Sequence, residues 1–246
     1  MEWWHIPALL AGGFLCGIIN AAAGGGSFIT LPILLLYGLP PQIANATNRV
    51  AITVQTFAGV ATYHVHGVRP WRALPPIALV TALGAFGGAW LAATVDETLF
   101  RRAAAILFAV MLTTVFINPR KWAGTGANAR IRPALYPIFF LMGIYGGFLQ
   151  AGVGVLLIST FVLLGGYDVV RGNALKFSLA FVFTGVSLVA FAGFGQVRWG
   201  VGLILAIGTA LGGIIGARLV MLKGATWVRA LVVVAAVAAI VKLLTG

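Results

Sequence analysis

Two cations lie within apolar segments of this sequence, where a charge is costly and needs a partner. Arg49 follows Thr47 and Asn48 in "IANATNRVAITVQ", and Lys176 stands at the matching position of "RGNALKFSLAF" in the second half of the chain. A cation at membrane depth costs several kcal/mol, so it is usually paired or kept for a function. The four carboxylates of the chain all lie near its start or next to predicted loops: Glu2, Asp96, Glu97 and Asp168. An anionic ligand would supply the missing charge; snorkelling of both cations to the membrane surface is the alternative.

A glycine run is the second feature that could take part in binding a ligand. Gly24, Gly25 and Gly26 precede Ser27 in "INAAAGGGSFITLP", and each glycine costs a helix roughly 1 kcal/mol relative to alanine. If the chain turns here inside the membrane, the helix that follows presents free N–H groups and a positive dipole end, which attract anions. Ser27 is expected to be the N-cap of that helix. A glycine-rich loop at the membrane surface is the alternative.

Composition indicates that helices in a membrane position these residues. The chain has 246 residues, 61% of them hydrophobic and 8% charged, whereas soluble domains carry about 25% charged residues. The apolar stretches are longer than strands and do not alternate, so they favour helices over a barrel. We predict ten segments: 6–22, 28–38, 42–64, 72–93, 98–117, 134–150, 155–165, 169–194, 199–220 and 225–244. The expected fold is an all-α integral membrane protein.

The two halves of the chain resemble one another. "GFLCGIINAAAG" aligns with "GIYGGFLQAGVG", which places Asn20 opposite Gln150 and Gly24 opposite Gly154. We therefore predict two homologous five-segment repeats, 1–117 and 134–246, joined by a basic linker at 118–133. The second and seventh segments, at about 11 residues each, rise only ~16 Å as helices, about half a membrane.

These short segments predict that each repeat begins with a helical hairpin broken by glycine. Gly152 and Gly154 in "QAGVGV" form the expected second tip. Short, glycine-interrupted segments at corresponding positions of two repeats indicate the binding site of a transporter. If neither hairpin crosses the membrane, each repeat crosses it three times and the second repeat is inverted. Loop charges are nearly tied, so the charges alone leave a parallel arrangement open.

Several other functional classes are disfavoured by the sequence. The net charge is +12, but the basic residues cluster between apolar segments, as in loops that meet anionic lipid, and nucleic-acid binding is not expected. No nucleophile with a base and no paired acids occur, so we do not expect an enzyme. His64 and His66 lack a third metal ligand in sequence reach, and no cofactor is expected. These histidines could instead handle protons near neutral pH.

Glycines at four-residue spacing recur in both halves: Gly13/Gly17, Gly84/Gly88, Gly143/Gly147 and Gly212/Gly216. Small residues at this spacing let membrane helices approach closely. We expect packing within one chain, with a homodimer seam as the alternative.

Two long motifs carry a family resemblance. "GFLCGIINAAAGGGSFITLPILLLYGLPPQIANATNRVA" and "GGFLQAGVGVLLISTFVLLGGYDVVRGNALK" resemble the two repeats of the sulfite exporter TauE/SafE family, and the likeness extends from about Ala11 to Leu244. The resemblance implies an inner-membrane permease for sulfite, sulfoacetate or another sulfonate, thiosulfate, or small organic acids. The family motif falls on Thr47, Asn48 and Arg49, whereas Ala174 and Leu175 replace its small polar residues in the second repeat.

We therefore expect a secondary transporter of small, sulfur-containing anions in a bacterial or archaeal inner membrane, working by alternating access. The anion gradient with the membrane potential, or protons, would drive it. A membrane subunit that serves a partner enzyme and a carboxylate permease are the alternatives. The candidate substrate-binding residues are Asn20, Gly24, Gly25, Gly26, Ser27, Thr47, Asn48, Arg49, Gln150, Gly152, Gly154, Asn173 and Lys176.

Overall fold

The structure, a computed structural model, is all-helical in the residues that it describes, 5–114 and 129–245; at 23, 108, 111–114 and 223–245 it describes the backbone alone. The helices are α1 His5–Ala23, α2 Ser27–Leu36, α3 Pro41–Val65, α4 Leu74–Thr94, α5 Glu97–Thr114, α6 Tyr136–Phe148, α7 Val153–Ser159, α8 Val169–Gly193 and α9 Trp199–Thr245. Short 3₁₀ turns precede α4 and α6, and a π-helical turn, Thr160–Leu164, extends α7. Most of the predicted linker lies outside the described residues.

Four of the described helices are long and apolar enough to cross a membrane: His5–Ala22, Trp71–Thr94, Val169–Gly193 and Trp199–Leu222. The first was expected to be half of a hairpin, yet its length suffices for a crossing. Helix α3 has 25 residues, as many as α8, but it carries several buried polar side chains. The predicted class, an all-α integral membrane protein, is confirmed.

The prediction of a separate tenth segment at 225–244 is wrong. Residues Trp199–Thr245 form one continuous helix of 47 residues. The expected break fell near Lys223 and Gly224. A single glycine costs a helix only about 1 kcal/mol, and no proline removes a backbone hydrogen bond there, so the helix continues.

Each half begins with two helices that form a hairpin. In the first hairpin (α1 and α2), Gly12 faces Ile33 and Gly26 faces Asn20, so the two helices are antiparallel. The turn between them is possible because Gly24 has φ +83°, a conformation open to glycine at little cost. In the second hairpin (α6 and α7), Gly152 takes the same role with φ +79°.

Glycine contacts show the directions of the first helix of each hairpin. Helix α1 runs parallel to α9, because Gly13 meets Leu205 and Gly17 meets Gly213. Helix α6 runs parallel to α4 in the same way, with Gly143 against Thr81 and Gly147 against Ala85. The glycine pairs identified from their spacing therefore pack against other helices of the same chain. Because glycine has no side chain, the helix backbones approach closely there.

The long helices α3 and α4 are antiparallel. Gln42 Nε2, at the start of α3, donates to Ala92 O at 3.0 Å and Val95 O at 2.8 Å, at the end of α4. Helix α3 also runs parallel to α9, since Gly202 contacts Val50 and Gly213 contacts Gln55. Helix α1 therefore has the direction of α3, and α6 has the opposite direction.

Candidate functional site

The two hairpins meet at glycines. A Cβ added at Gly154, near the start of α7, would lie 2.5 Å from Gly24 Cα, so backbone contacts backbone. Beside this contact is a cavity of about 20 Å³, which we call the central cavity. It is lined by Asn20, Gly24, Ser27, Ile52, Thr56, Gln150, Val153, Gly154, Lys176, Phe177, Ala180 and Phe183. A water molecule needs roughly 10–15 Å³ by this measure, so the cavity has room for little more than one water.

The central cavity lies at mid-length of the two long helices that flank it. Ile52 and Thr56 are near the middle of α3, and Ala180 is near the middle of α8. If these helices cross the membrane, the cavity is close to the midplane of the bilayer.

Lys176 brings a positive charge to this cavity. The residue is only 3% exposed, and Nζ donates to Asn20 O at 2.7 Å and Ala21 O at 3.2 Å. These carbonyls belong to the last turn of α1, the negative end of the helix dipole. An ammonium has three N–H donors, so one donor is left over. No carboxylate occurs among the lining residues.

Arg49 is buried elsewhere, against the end of α6. Its guanidinium donates to Gly146 O, to Gly147 O at 2.9 Å and to Asn45 Oδ1 at 3.3 Å. Asn45 Nδ2 completes the arrangement by donating to Phe148 O at 2.8 Å. Arg49 is not among the residues that line the central cavity.

Each of the two cations thus binds the hairpin of the other half of the chain. Arg49 of the first half binds the end of α6 in the second half, and Lys176 of the second half binds the end of α1 in the first. Among the described side chains, the one ion pair joins Arg171 to Asp168, far along the chain from Arg49. The hydrogen-bond partners of both cations are mainly carbonyls at helix ends; Arg49 also donates to Asn45 Oδ1, and Arg49 and Lys176 lie over the rings of Phe191 and Phe177, respectively.

Residues beside Arg49 in the motif make hydrogen bonds to other parts of the chain. Thr47 Oγ1 accepts a hydrogen bond from Arg198 N at 3.1 Å, where the connection from α8 enters α9. Asn48 Nδ2 donates to Ser27 Oγ at 3.4 Å. The prediction that Ser27 caps α2 is wrong: the N-cap is Gly26, and Ser27 is the first helical residue. Its hydroxyl faces Asn48.

The amides opposite each other in the two halves have different environments. Asn20 Nδ2 donates to Gln55 Oε1 at 3.1 Å, and Gln55 Nε2 donates to Gly17 O at 3.3 Å. Gln150 has φ +70° and is the only non-glycine residue with a positive φ in the described part of the chain. Its buried Oε1 has no hydrogen-bond partner there. Such strain and unpaired polarity cluster at functional sites.

The other candidates surround the cavity without lining it. Asn173 Nδ2 donates to Ala21 O at 2.7 Å and to Tyr63 Oη at 2.8 Å. Gly152 is the N-cap of α7. Gly26 packs on α1, while a Cβ at Gly25 would meet only the ring of Phe28.

Sequence reasoning missed several residues that build the site. Gln55 and Thr56 stand only a few residues after Arg49, and Tyr145 donates through its hydroxyl to Ala151 O in the second tip. An amide such as Gln55 within an apolar segment was the available signal, because a buried polar group needs a partner. Phe177 and Phe183 give no such signal.

The model of the family described as Sulfite exporter TauE/SafE matches residues 9–243. The chain belongs to this TauE/SafE family. Similar proteins include the "Probable membrane transporter protein ORF9" of Sinorhizobium sp, 30% identical over 98% of this chain and 93% of the relative. A "Probable membrane transporter protein" of Haemophilus influenzae is 29% identical over 93% and 90%, respectively. The "Probable membrane transporter protein YfcA" of Escherichia coli K12 is 27% identical over 94% and 86%.

No solved structure matches this TauE/SafE chain. The family and the transporter names of its relatives make the protein a multi-pass membrane permease with a small-molecule substrate. The resemblance found from the sequence is confirmed.

Proposed function

We propose that this permease moves small anions, sulfite or related sulfur oxyanions and sulfonates, across a bacterial or archaeal inner membrane by alternating access. The observation that carries the proposal is the ammonium of Lys176 beside the central cavity, between two hairpins and with no carboxylate in the lining. A cation buried at membrane depth without an acidic partner favours an anionic ligand.

The lining offers an oxyanion several donors. The remaining N–H of Lys176 supplies a charge-assisted hydrogen bond, which is about twice as strong as a neutral one. Ser27, the first residue of α2, lines the cavity and keeps a hydroxyl donor, whereas the next N–H groups of α2, those of Phe28 and Ile29, already donate to Gly25 O and Gly26 O. Gln150 adds an amide whose Oε1 and Nε2 are interchangeable by a flip.

The size of the cavity and the direction of the hairpins support alternating access. A cavity of about 20 Å³ is too small for an oxyanion of four heavy atoms, so the hairpins must separate to admit it. Because α1 and α6 run in opposite directions, the hairpins would open toward opposite sides of the membrane, as inverted repeats do. The family description as sulfite exporters supports sulfite as the first substrate to test.

Transport by the purified protein in liposomes tests the proposal. We expect saturable sulfite flux without any other protein, and competition by sulfonates or thiosulfate that exceeds competition by carboxylates. Imposing a potassium diffusion potential or a pH gradient then separates potential-driven from proton-driven flux. Absence of flux for every anion in this panel, from protein shown to be folded, would contradict the proposal and favour a subunit role.

Arg49 is expected to affect stability more than substrate affinity. Arg49 uses Nη1 for Gly146 O and Nη2 for Gly147 O, whereas glutamine has a shorter side chain and one amide nitrogen; a buried carbonyl left without a partner costs about 1–3 kcal/mol. For a chain of this size the apparent Tm should fall by roughly 3–10 °C. Thermal unfolding measures this effect, and sulfite titration should give a Kd within about threefold of wild type. A hundredfold weaker Kd at unchanged Tm would return Arg49 to the binding site.

A further inference from the structure

A second, larger cavity lies where α3 ends and α4 and α8 begin. Its volume is about 660 Å³, and we call it the vestibule. Three of its lining residues are arginines, Arg69, Arg72 and Arg171, and His66 lies among them. Among the described residues that line it, Asp168 is the one acidic residue.

The acidic residue of the vestibule is already engaged. Asp168 Oδ1 accepts from Arg171 N at 2.9 Å as the N-cap of α8, and Oδ2 lies 3.5 Å from Arg171 Nε. Arg69 donates only to a neutral carbonyl, His64 O, at 3.4 Å. Arg72 has no hydrogen-bond or ion-pair partner in the described part of the chain. No acidic side chain among the described residues therefore compensates the charges of Arg69 and Arg72.

One layer of side chains separates the vestibule from the central cavity. Val68 and Val170 line the vestibule and also pack against a cluster of buried residues that includes Tyr63 and Phe177. Phe177 lines the central cavity on the other side of this cluster. The rings of Tyr63 and Phe177 lie 5.9 Å apart, and Asn173 Nδ2 donates to the Tyr63 hydroxyl at 2.8 Å.

We propose that the vestibule is an outer anion site of the permeation route, which concentrates soluble oxyanions before they pass the Tyr63–Phe177 layer to Lys176. The inference rests on the proposed function. A concave surface lined by charges of one sign raises the local concentration of the opposite ion and its rate of association. Phosphate groups of lipids share this chemistry, so the test separates the two sources.

The first measurement needs no transport. Native Cys16 is fully buried, so Val68→Cys places a single accessible thiol in the vestibule. We expect this thiol to react faster with a sulfonate-bearing methanethiosulfonate than with its trimethylammonium counterpart, relative to free cysteine. Arg69→Gln with Arg72→Gln should reduce that rate ratio roughly tenfold, and high salt should reduce it too. A ratio that is the same in the presence and absence of the arginines would overturn the proposal.

The second measurement links the vestibule to flux. In phosphatidylcholine liposomes, the Arg69→Gln, Arg72→Gln protein should show a several-fold higher KM for sulfite at low salt with unchanged maximal flux. The matched control, Arg101→Gln with Arg102→Gln, removes two exposed charges from α5 and should leave KM unchanged. An effect that needs phosphatidylglycerol in the liposomes would identify a lipid headgroup site and overturn the proposal. If the wild-type protein shows the expected labelling ratio but no sulfite flux, the result contradicts the proposed function and not the anion site in the vestibule.

Discussion

Lys176→Gln is expected to weaken sulfite binding roughly ten- to hundredfold and to abolish measurable transport. Hydrogen bonds to charged groups contribute about 1.5–3 kcal/mol net, and each 1.4 kcal/mol is a factor of ten in Kd. Glutamine keeps a donor for Asn20 O or Ala21 O, so the end of α1 retains part of its support. Calorimetric titration of sulfite into the purified variant measures the effect.

Two further variants separate binding from anchoring. Lys176→Arg keeps the charge and should lose less affinity than Lys176→Gln, although the larger guanidinium must fit the same space. Arg218→Gln removes one charge from an exposed position of α9 and should bind sulfite like wild type. If Lys176→Gln lowers the apparent Tm but leaves the Kd unchanged, Lys176 only anchors α1 and the anion site lies elsewhere.

Gly154→Val is expected to abolish transport while the protein still inserts and folds. A Cβ at this position would lie 2.5 Å from Gly24 Cα and 2.8 Å from Gly24 O. Both atoms are backbone, so neither can move aside as a side chain would, and the hairpins cannot close against each other. Sulfite flux in liposomes, compared at equal amounts of reconstituted protein, measures this.

The controls for this variant are other glycines. Gly185→Val places the same side chain in α8, where a Cβ meets nothing within 4 Å, and should transport like wild type. Gly25→Val meets only the flexible ring of Phe28 and should be milder than Gly154→Val. Normal flux in Gly154→Val would show that the hairpins need not touch during transport.

The sequence by itself determined the class, the family and the short helices. Apolar segments of about 20 residues predict helices because the backbone must satisfy its own hydrogen bonds in lipid. The predicted segments 28–38 and 155–165 correspond closely to Ser27–Leu36 and to Val153–Ser159 with its π-helical extension. Spacing also identified the glycine faces, because glycines at four-residue spacing indicate where helix backbones approach closely.

Only the tertiary structure decided what the two cations contact. From the sequence, Arg49 and Lys176 are equivalent charges without an acid nearby. The structure gives each the C-terminal carbonyls of a helix from the other half, and it leaves Lys176 alone beside the central cavity. The physical reason is that the free carbonyls at a helix end belong to the backbone, so the residue types do not reveal them. Which helix end contacts which cation depends on how helices distant in the sequence pack together.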